Sequence, residues 1–480
     1  MSSKQPFNLD SPILQFSKHD FWSIRDACEG TMIFGATGSG KTSGSGQAIA
    51  HGFLNSGFGG LVLTAKPDER QLWEKYCYEC NCEDSLLIVS PQRDFTFNFL
   101  DYELNRAGLG AGLTENLVNL FTTALKASEG GKGGKSDDYW ERTLRQLLRN
   151  TIDLIKISTG RISLVDMYQV ITSAPQGYED LESEEWQNHS RCFQCIREGE
   201  NKSKSDSERM DFELTCTYWL SEFVGLAERT RSIIVSSFTS MADSLLRGVL
   251  RDLFCTQTNF VPELSQEGAI IVLDLPVKEF GELGVLSQVI FKHIWQQAVE
   301  RRDVVKNPRP VFLWADECQN FISPYDQQFQ TTARSSRACT VYLTQNLPNF
   351  YAALGGTGQA KHQVDSLMGN LQTKIFHANG DQVTNQWASE MFAKSWTHRR
   401  SSGISISKDK NSKSFFPKNN IQQSFNRNES LEYDILPREF TELRKGGYHN
   451  DLMVDAILFQ GGRVWNSTQK NYLLTSFQQI

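Results

Sequence analysis

Thr31-Met32-Ile33-Phe34-Gly35-Ala36-Thr37-Gly38-Ser39-Gly40-Lys41-Thr42 is an apolar strand that runs straight into a glycine-rich turn. The residues from Lys41 to about Asn55 continue it as a helix. Gly35 to Thr42 fit G-x-x-x-x-G-K-[ST] in the strand–turn–helix setting that the motif requires. Glycines let successive backbone N–H groups curl around phosphate oxygens, and the helix N-terminus adds positive potential there. Gly35, Ala36, Thr37, Gly38, Ser39 and Gly40 therefore read as the cradle. Lys41 is placed to reach the β- and γ-phosphates of ATP, and Thr42 to ligate Mg²⁺.

Working outward, Gly60–Thr64 and Leu86–Ser90 are further short buried strands, with helical spacing between strands. Strands resume at Ala269–Leu275, Pro310–Ala315, Cys339–Thr344, Thr373–Ala378 and Asp451–Phe459, again alternating with helices. That alternation predicts an α/β fold, a P-loop NTPase of RecA-like type with a mostly parallel central sheet. From Ala111 to about Arg251 strand-like runs nearly vanish. Tyr139, Leu144, Leu147, Leu148, Ile152 and Ile155 instead recur at helical spacing. The expected division is 1–103, the first part of the nucleotide-binding domain with Walker A; 104–250, an inserted all-α domain; and 251–480, the second part with Walker B. Ser128–Ser136 and the acidic, serine-rich Gly177–Glu213 are expected to break the helical region, and 395–425 to be a loop or poorly ordered hairpin.

The chain has 480 residues, 39% hydrophobic and 22% charged, a globular composition that excludes wholesale disorder. No apolar run approaches membrane-spanning length and no secretory signal opens the chain, so the expectation is a cytoplasmic protein without direct membrane insertion. The net charge of −7 is concentrated in Gly177–Glu213, which holds 11 acidic against 5 basic residues. The remainder is near neutral, so overall charge neither supports nor excludes a nucleic-acid partner.

A phosphate cradle needs a carboxylate at the end of another strand. Val311-Phe312-Leu313-Trp314-Ala315-Asp316-Glu317 supplies it, Asp316 for the metal and Glu317 to polarise the attacking water. Cys339–Thr344 ends in Gln345, which parallel-strand geometry could bring beside the γ-phosphate as a sensor. Arg334 and Arg337 precede that strand. On spacing alone both read as surface or ion-paired arginines.

Together these motifs resemble the type IV coupling proteins, the TraG/TraD-like conjugative ATPases of the FtsK/HerA class. Lys66-Pro67-Asp68-Glu69, Phe97-Asn98-Phe99-Leu100 and Asp138-Tyr139-Trp140 are similar to further family segments, and the resemblance spans about 20–460. It implies a ring, usually hexameric, with ATP between subunits and DNA in a central channel. It implies that the helical insertion recognises cargo, a relaxase or an adaptor. It also matches Arg334 to a trans-acting arginine and Gln345 to the sensor glutamine. Typical members begin with transmembrane helices; none is legible here, so any seat at the inner membrane or a secretion channel would come through partner proteins. The expected function is a motor that translocates DNA or a DNA–protein substrate. The alternatives are a motor for protein cargo and a nucleotide-gated assembly or defence scaffold.

Weaker signals complete the reading. Cys77, Cys80, Cys82 and His189, Cys192, Cys195 each offer three of the four ligands that structural zinc wants, so reduced thiols are the default. The second cluster falls in a stretch that could dock a partner. Lys394, Arg399, Arg400, Lys408, Lys410, Lys413 and Lys418 form a basic run, read first as a solvated loop and second as a phosphate contact. Trp73, Trp140, Trp186 and Trp387 are assigned to packing.

Overall fold

A computed structural model describes residues 7–128, 137–408 and 419–479. After a small antiparallel pair, β1 (Pro12–Gln15) and β2 (Phe21–Ser23), the apolar runs become strands of one sheet. These are β3 (Thr31–Phe34), β4 (Gly59–Leu63), β5 (Leu86–Val89), β6 (Ile270–Leu273), β7 (Val311–Ala315), β8 (Ala338–Thr344) and β9 (Thr373–Phe376). A separate hairpin, β10 (Lys394–Lys408) and β11 (Asn419–Tyr433), precedes β12 (Met453–Gln460) and β13 (Tyr472–Gln478). The nine-stranded order is β13-β12-β9-β3-β8-β7-β4-β6-β5. From β9 to β5 all neighbours are parallel; β12 joins β9 antiparallel and β13 closes that edge.

Strand residues are continuously apolar because both faces are covered. Ile33, Val62, Val272, Phe312, Trp314, Val341 and Ile375 pack on one side with the helices Gln47–Asn55 and Glu69–Glu79. Met32, Leu61, Leu63, Leu273, Leu313 and Phe376 alternate onto the other side, toward the helix Val277–Arg301 and the helical region. Trp73 stacks on Phe312 at 5.3 Å, as a packing tryptophan should.

Among the described residues every regular element between Val89 and Ile270 is a helix, which makes this the all-α part of the fold. Leu144, Leu147, Leu148, Ile152 and Ile155 are buried along the helix Asp137–Thr159. Tyr139 departs from the expected stripe: it sits in the first turn and is 63% exposed. The acidic stretch also corrects the reading, since it forms consecutive helices rather than a break. Ser183, Ser190 and Ser205 are their N-caps, accepting from the N–H groups of Trp186, Phe193 and Glu208. Serine there starts helices instead of marking a linker. Cys192 and Cys195 lie on the buried face of the helix Arg191–Glu200, so they are core and not a docking loop. Among the described residues no group of three His, Cys, Asp or Glu side chains could hold a metal ion.

The region expected to be a loop or poorly ordered hairpin is a long hairpin, paired from Lys394↔Tyr433 to Lys408↔Asn419. Each strand has 15 residues, roughly 50 Å of extended chain. Its base is fixed by the Lys394 ammonium over the Tyr433 ring at 4.4 Å and by the Gln386 amide donating to Tyr433 Oη at 2.9 Å. Lys410, Lys413 and Lys418 of the basic run, like most of Ser128–Ser136, lie outside the described residues. No single helix among the described residues is long and apolar enough to cross a membrane. One bent pair, Glu228–Leu245 with Gly248–Phe254, passes by length and composition, and its Ile234, Phe238, Met241 and Leu253 belong to the core.

Candidate nucleotide-binding site

The parallel strands end together, and β3 has β8 on one side and β9 on the other, so a crevice opens beyond its carboxyl end. Gly35–Thr42 fill that turn. Gly38 (φ 71°) and Gly40 (φ 83°) adopt the left-handed region that favours glycine. A Cβ on Gly35 would lie 2.3 Å from Ser39 Oγ. The helix then opens with one wide turn, Thr42–Gly46, in which Gly46 N–H donates to Lys41 O at 2.9 Å. Behind it, buried His377 bridges two elements, its ring nitrogens 2.7 Å from Ser45 Oγ and 3.0 Å from the Asp455 carbonyl. Nδ1–H must donate to the carbonyl, so Nε2 accepts from the serine. Burial holds this histidine neutral, its pKa lowered to about 4.

One strand, β8, separates β3 from β7, which brings Asp316 and Glu317 alongside the cradle. Thr42 Oγ1 donates to Asp316 Oδ2 at 2.9 Å, and Lys41 Nζ stands 3.9 Å from Asp316 and 3.8 Å from Glu317. Two hard oxygen donors this close, one anionic, suit Mg²⁺. Glu317 has φ 48°, a strained setting for a non-glycine residue. Gln319 Nε2 donates to its Oε2 at 3.0 Å and Gln345 Nε2 to its Oε1 at 3.3 Å. Burial opposes ionisation of Glu317, but Gln319, Lys41, Lys66 and Gln345 outweigh it and hold the carboxyl below its ordinary value. It is an anion at neutral pH, as an acceptor of a water proton must be.

The cavity bounded by these groups has a volume of about 850 Å³, and Gly35's neighbours from Ala36 to Ser43 form one wall. Lys41, Thr42, Asp316, Glu317 and Gln345 thus come together as the motifs suggested. Arg334 does not join them. It lies before β8, at the opposite end of the sheet, with its guanidinium 3.3 Å from Glu29 and 63% exposed. The seven residues of β8 put roughly 23 Å between that end and the cradle. Arg337 is structural, donating to the Phe7 and Pro308 carbonyls at 3.0 and 2.7 Å.

Sequence reading missed several members of the site. Lys66 Nζ lies 3.2 Å from Asp316 and 3.4 Å from Glu317, because β4 neighbours β7 in register Leu63↔Ala315. Buried Glu69 accepts from Ala65 N–H at 2.7 Å. Burial first, and Asp316 second, push its carboxyl up to about 8. Gln319 Oε1 accepts from Thr344 Oγ1 at 2.9 Å, tying the end of β8 to Glu317. The available signal was position: Lys66 and Glu69 lie in the loop and first helical turn after β4, and Gln319 in the turn after β7, both buried parallel strands.

Fold and site together define an α/β P-loop NTPase with an all-α insertion. Residues 310–439 match the family described as the TraM recognition site of TraD and TraG. No curated protein matches the chain in sequence. Among solved structures, the unbound bacterial conjugative coupling protein TrwBdeltaN70 superposes with a TM-score of 0.60 at 15% identity, covering 99% of this chain and 90% of that one. Plasmid coupling protein TrwB bound to the non-hydrolysable GTP analogue GDPNP gives 0.59 at 13% over the same shares. TrwB with ADP and Mg²⁺ gives 0.58 at 14%, over 95% and 86%. Residues 310–439 are thus similar to TraD and TraG, and nearly the whole chain has the fold of the coupling protein TrwB.

Proposed function

We propose that this protein is a ring-forming, Mg²⁺-dependent ATPase that translocates DNA or a DNA–protein substrate in conjugative transfer. One observation supports the reading: a glycine-rich turn with Thr42 on Asp316 and an anionic Glu317 beside Lys41 sits on a fold matching a conjugative coupling protein over 99% of the chain. The nucleotide complexes of TrwB support ATP as ligand.

In this reading the cradle amides and Lys41 bind the phosphates. Thr42 and Asp316 hold Mg²⁺, which when bound neutralises charge developing on them. Glu317 accepts the proton of the attacking water, with Gln319 and Gln345 fixing its two oxygens. Gln345, at the end of β8, couples the state of the γ-phosphate to the segment after β9, since its backbone carbonyl accepts from Asn379 Nδ2 at 3.0 Å. Arg334 serves the site of the next subunit: it is exposed and stands at the far end of its own sheet. Residues 104–250 act as the recognition insertion, and 310–439 engage a relaxosome component of the kind that the matched family is named for. The protein works on the cytoplasmic side and reaches the inner membrane through partners.

ATP hydrolysis without DNA, with single-stranded DNA and with duplex DNA, beside Glu317→Gln, tests this. DNA-stimulated turnover that falls roughly 10²- to 10⁴-fold in the variant is expected. Turnover indifferent to both DNA forms overturns the DNA-motor reading.

A further inference from the structure

Lys66 is a second cation of the phosphate site that the motif reading leaves without a role. The two residues before it are anchored to the helix Val277–Arg301. Gln288 exchanges two hydrogen bonds with Thr64, at 2.7 and 3.0 Å, and Lys278 N–H donates to the Ala65 carbonyl at 3.1 Å. Glu69 closes the same loop on the Ala65 N–H. The loop is therefore fixed while the ammonium, on a flexible four-carbon stem, is not. That ammonium lines the cavity, with about a third of the side chain exposed, and touches both carboxylates.

In the structure two ammonium groups, Lys41 and Lys66, balance two carboxylates, Asp316 and Glu317. A Mg²⁺-bound nucleoside triphosphate brings net negative charge, and a metal held by Thr42 and Asp316 would compete with Lys66 for that carboxylate. Resting on the proposed ATPase function, we propose that Lys66 is a catalytic residue with two positions. Without nucleotide it occupies Asp316 and Glu317 and blocks binding of the metal alone. With Mg²⁺-nucleotide it turns to the transferring γ-phosphoryl group, where it stabilises charge that grows in the transition state. The helix Val277–Arg301, which sets the loop, thereby gains leverage on turnover.

The experiment compares wild type, Lys66→Met and Lys66→Arg in the full chain. Methionine keeps the stem and removes the charge. Three readouts are taken: steady-state hydrolysis, binding of a fluorescent non-hydrolysable ATP analogue with Mg²⁺, and Mn²⁺ binding without nucleotide by electron paramagnetic resonance. Lys66→Met is expected to lower kcat roughly 10- to 100-fold while analogue affinity changes less than about threefold, and to bind Mn²⁺ alone more tightly than wild type. Lys66→Arg is expected to recover part of kcat. An unchanged kcat in Lys66→Met overturns the proposal. So does unchanged Mn²⁺ affinity, or an arginine variant as slow as the methionine one. A wild type that binds nucleotide but does not hydrolyse it overturns the ATPase reading instead, while the Mn²⁺ comparison still reports on where Lys66 sits.

Discussion

Replacing Gly40 by alanine separates two costs that the phosphate cradle imposes on its sequence. A Cβ at Gly40 would stand 2.6 and 2.8 Å from the two methyls of Val454 and 3.2 Å from the Lys445 carbonyl, at φ +83°. A Cβ at Gly38 would have the same left-handed backbone, φ +71°, and nothing within 4 Å. Left-handed backbone costs an alanine about 1–2 kcal/mol, and overpacking a fixed neighbour adds about 1–3 kcal/mol. Gly38→Ala should therefore lose only the first, and Gly40→Ala about 2–5 kcal/mol in all. Val454 is fully buried on β12, so it has little room to retreat. Val454→Ala removes both clashing methyls, and the double variant should recover at least about 1 kcal/mol relative to additivity. Unfolding midpoints of the four variants and wild type, taken at one scan rate, give the ordering. Affinity for a non-hydrolysable ATP analogue reports whether the cradle itself has opened. Equal losses in Gly38→Ala and Gly40→Ala, or strict additivity with Val454→Ala, would refute the reasoning that Val454 bars a side chain at Gly40.

Other consequences are as direct. Lys292 is fully buried and donates to Asp326 and the Phe321 carbonyl; Lys292→Met strands the carboxylate and should destabilise the protein by about 3–5 kcal/mol, with Lys292→Met/Asp326→Asn regaining part of it in the same melts. His377 is held well below its ordinary value by burial, to about 4. Its stabilising contribution is complete above about pH 6.5 and is lost as pH falls toward 4, roughly 3 kcal/mol across that window; His377→Gln, followed by unfolding midpoint against pH, should flatten the decline. Ser190 Oγ accepts from Phe193 N–H and donates to the Ser173 carbonyl, so Ser190→Ala should cost about 1–2 kcal/mol, whereas alanine at exposed Ser236 should leave the midpoint nearly unmoved.

Local rules made much of this protein legible. The apolar run of β3, the glycines after it and Lys41-Thr42 identify a phosphate cradle from a dozen residues, since strand, turn and helix start are short-range events. The buried parallel strands announce themselves by continuous apolar sequence, and the carboxylate pair by its place at the end of one. Where local signals compete, the reading slipped. Serine in Gly177–Glu213 serves loops and helix caps alike, and only burial of Cys192, Cys195 and Ile196 against neighbouring helices decides between them. The hairpin β10–β11 carries few apolar residues, so its ladder depends on cross-strand pairing that composition does not display.

Strand order is what sequence could not supply. Lys66 meets Asp316 across 250 positions because β4 was packed beside β7, and β8 separates the two halves of the phosphate site because it inserts between β3 and β7. The same ordering puts Val454 over Gly40, while Arg334, which precedes β8, lies at the far end of the parallel sheet from Thr42. Sequence alone therefore singled out residues whose chemistry suits phosphate, a metal and a proton, because those capacities reside in side chains and in turns of a few residues. Tertiary structure decided which of them share a cavity, because contacts between strands distant along the chain depend on how two apolar faces are jointly covered.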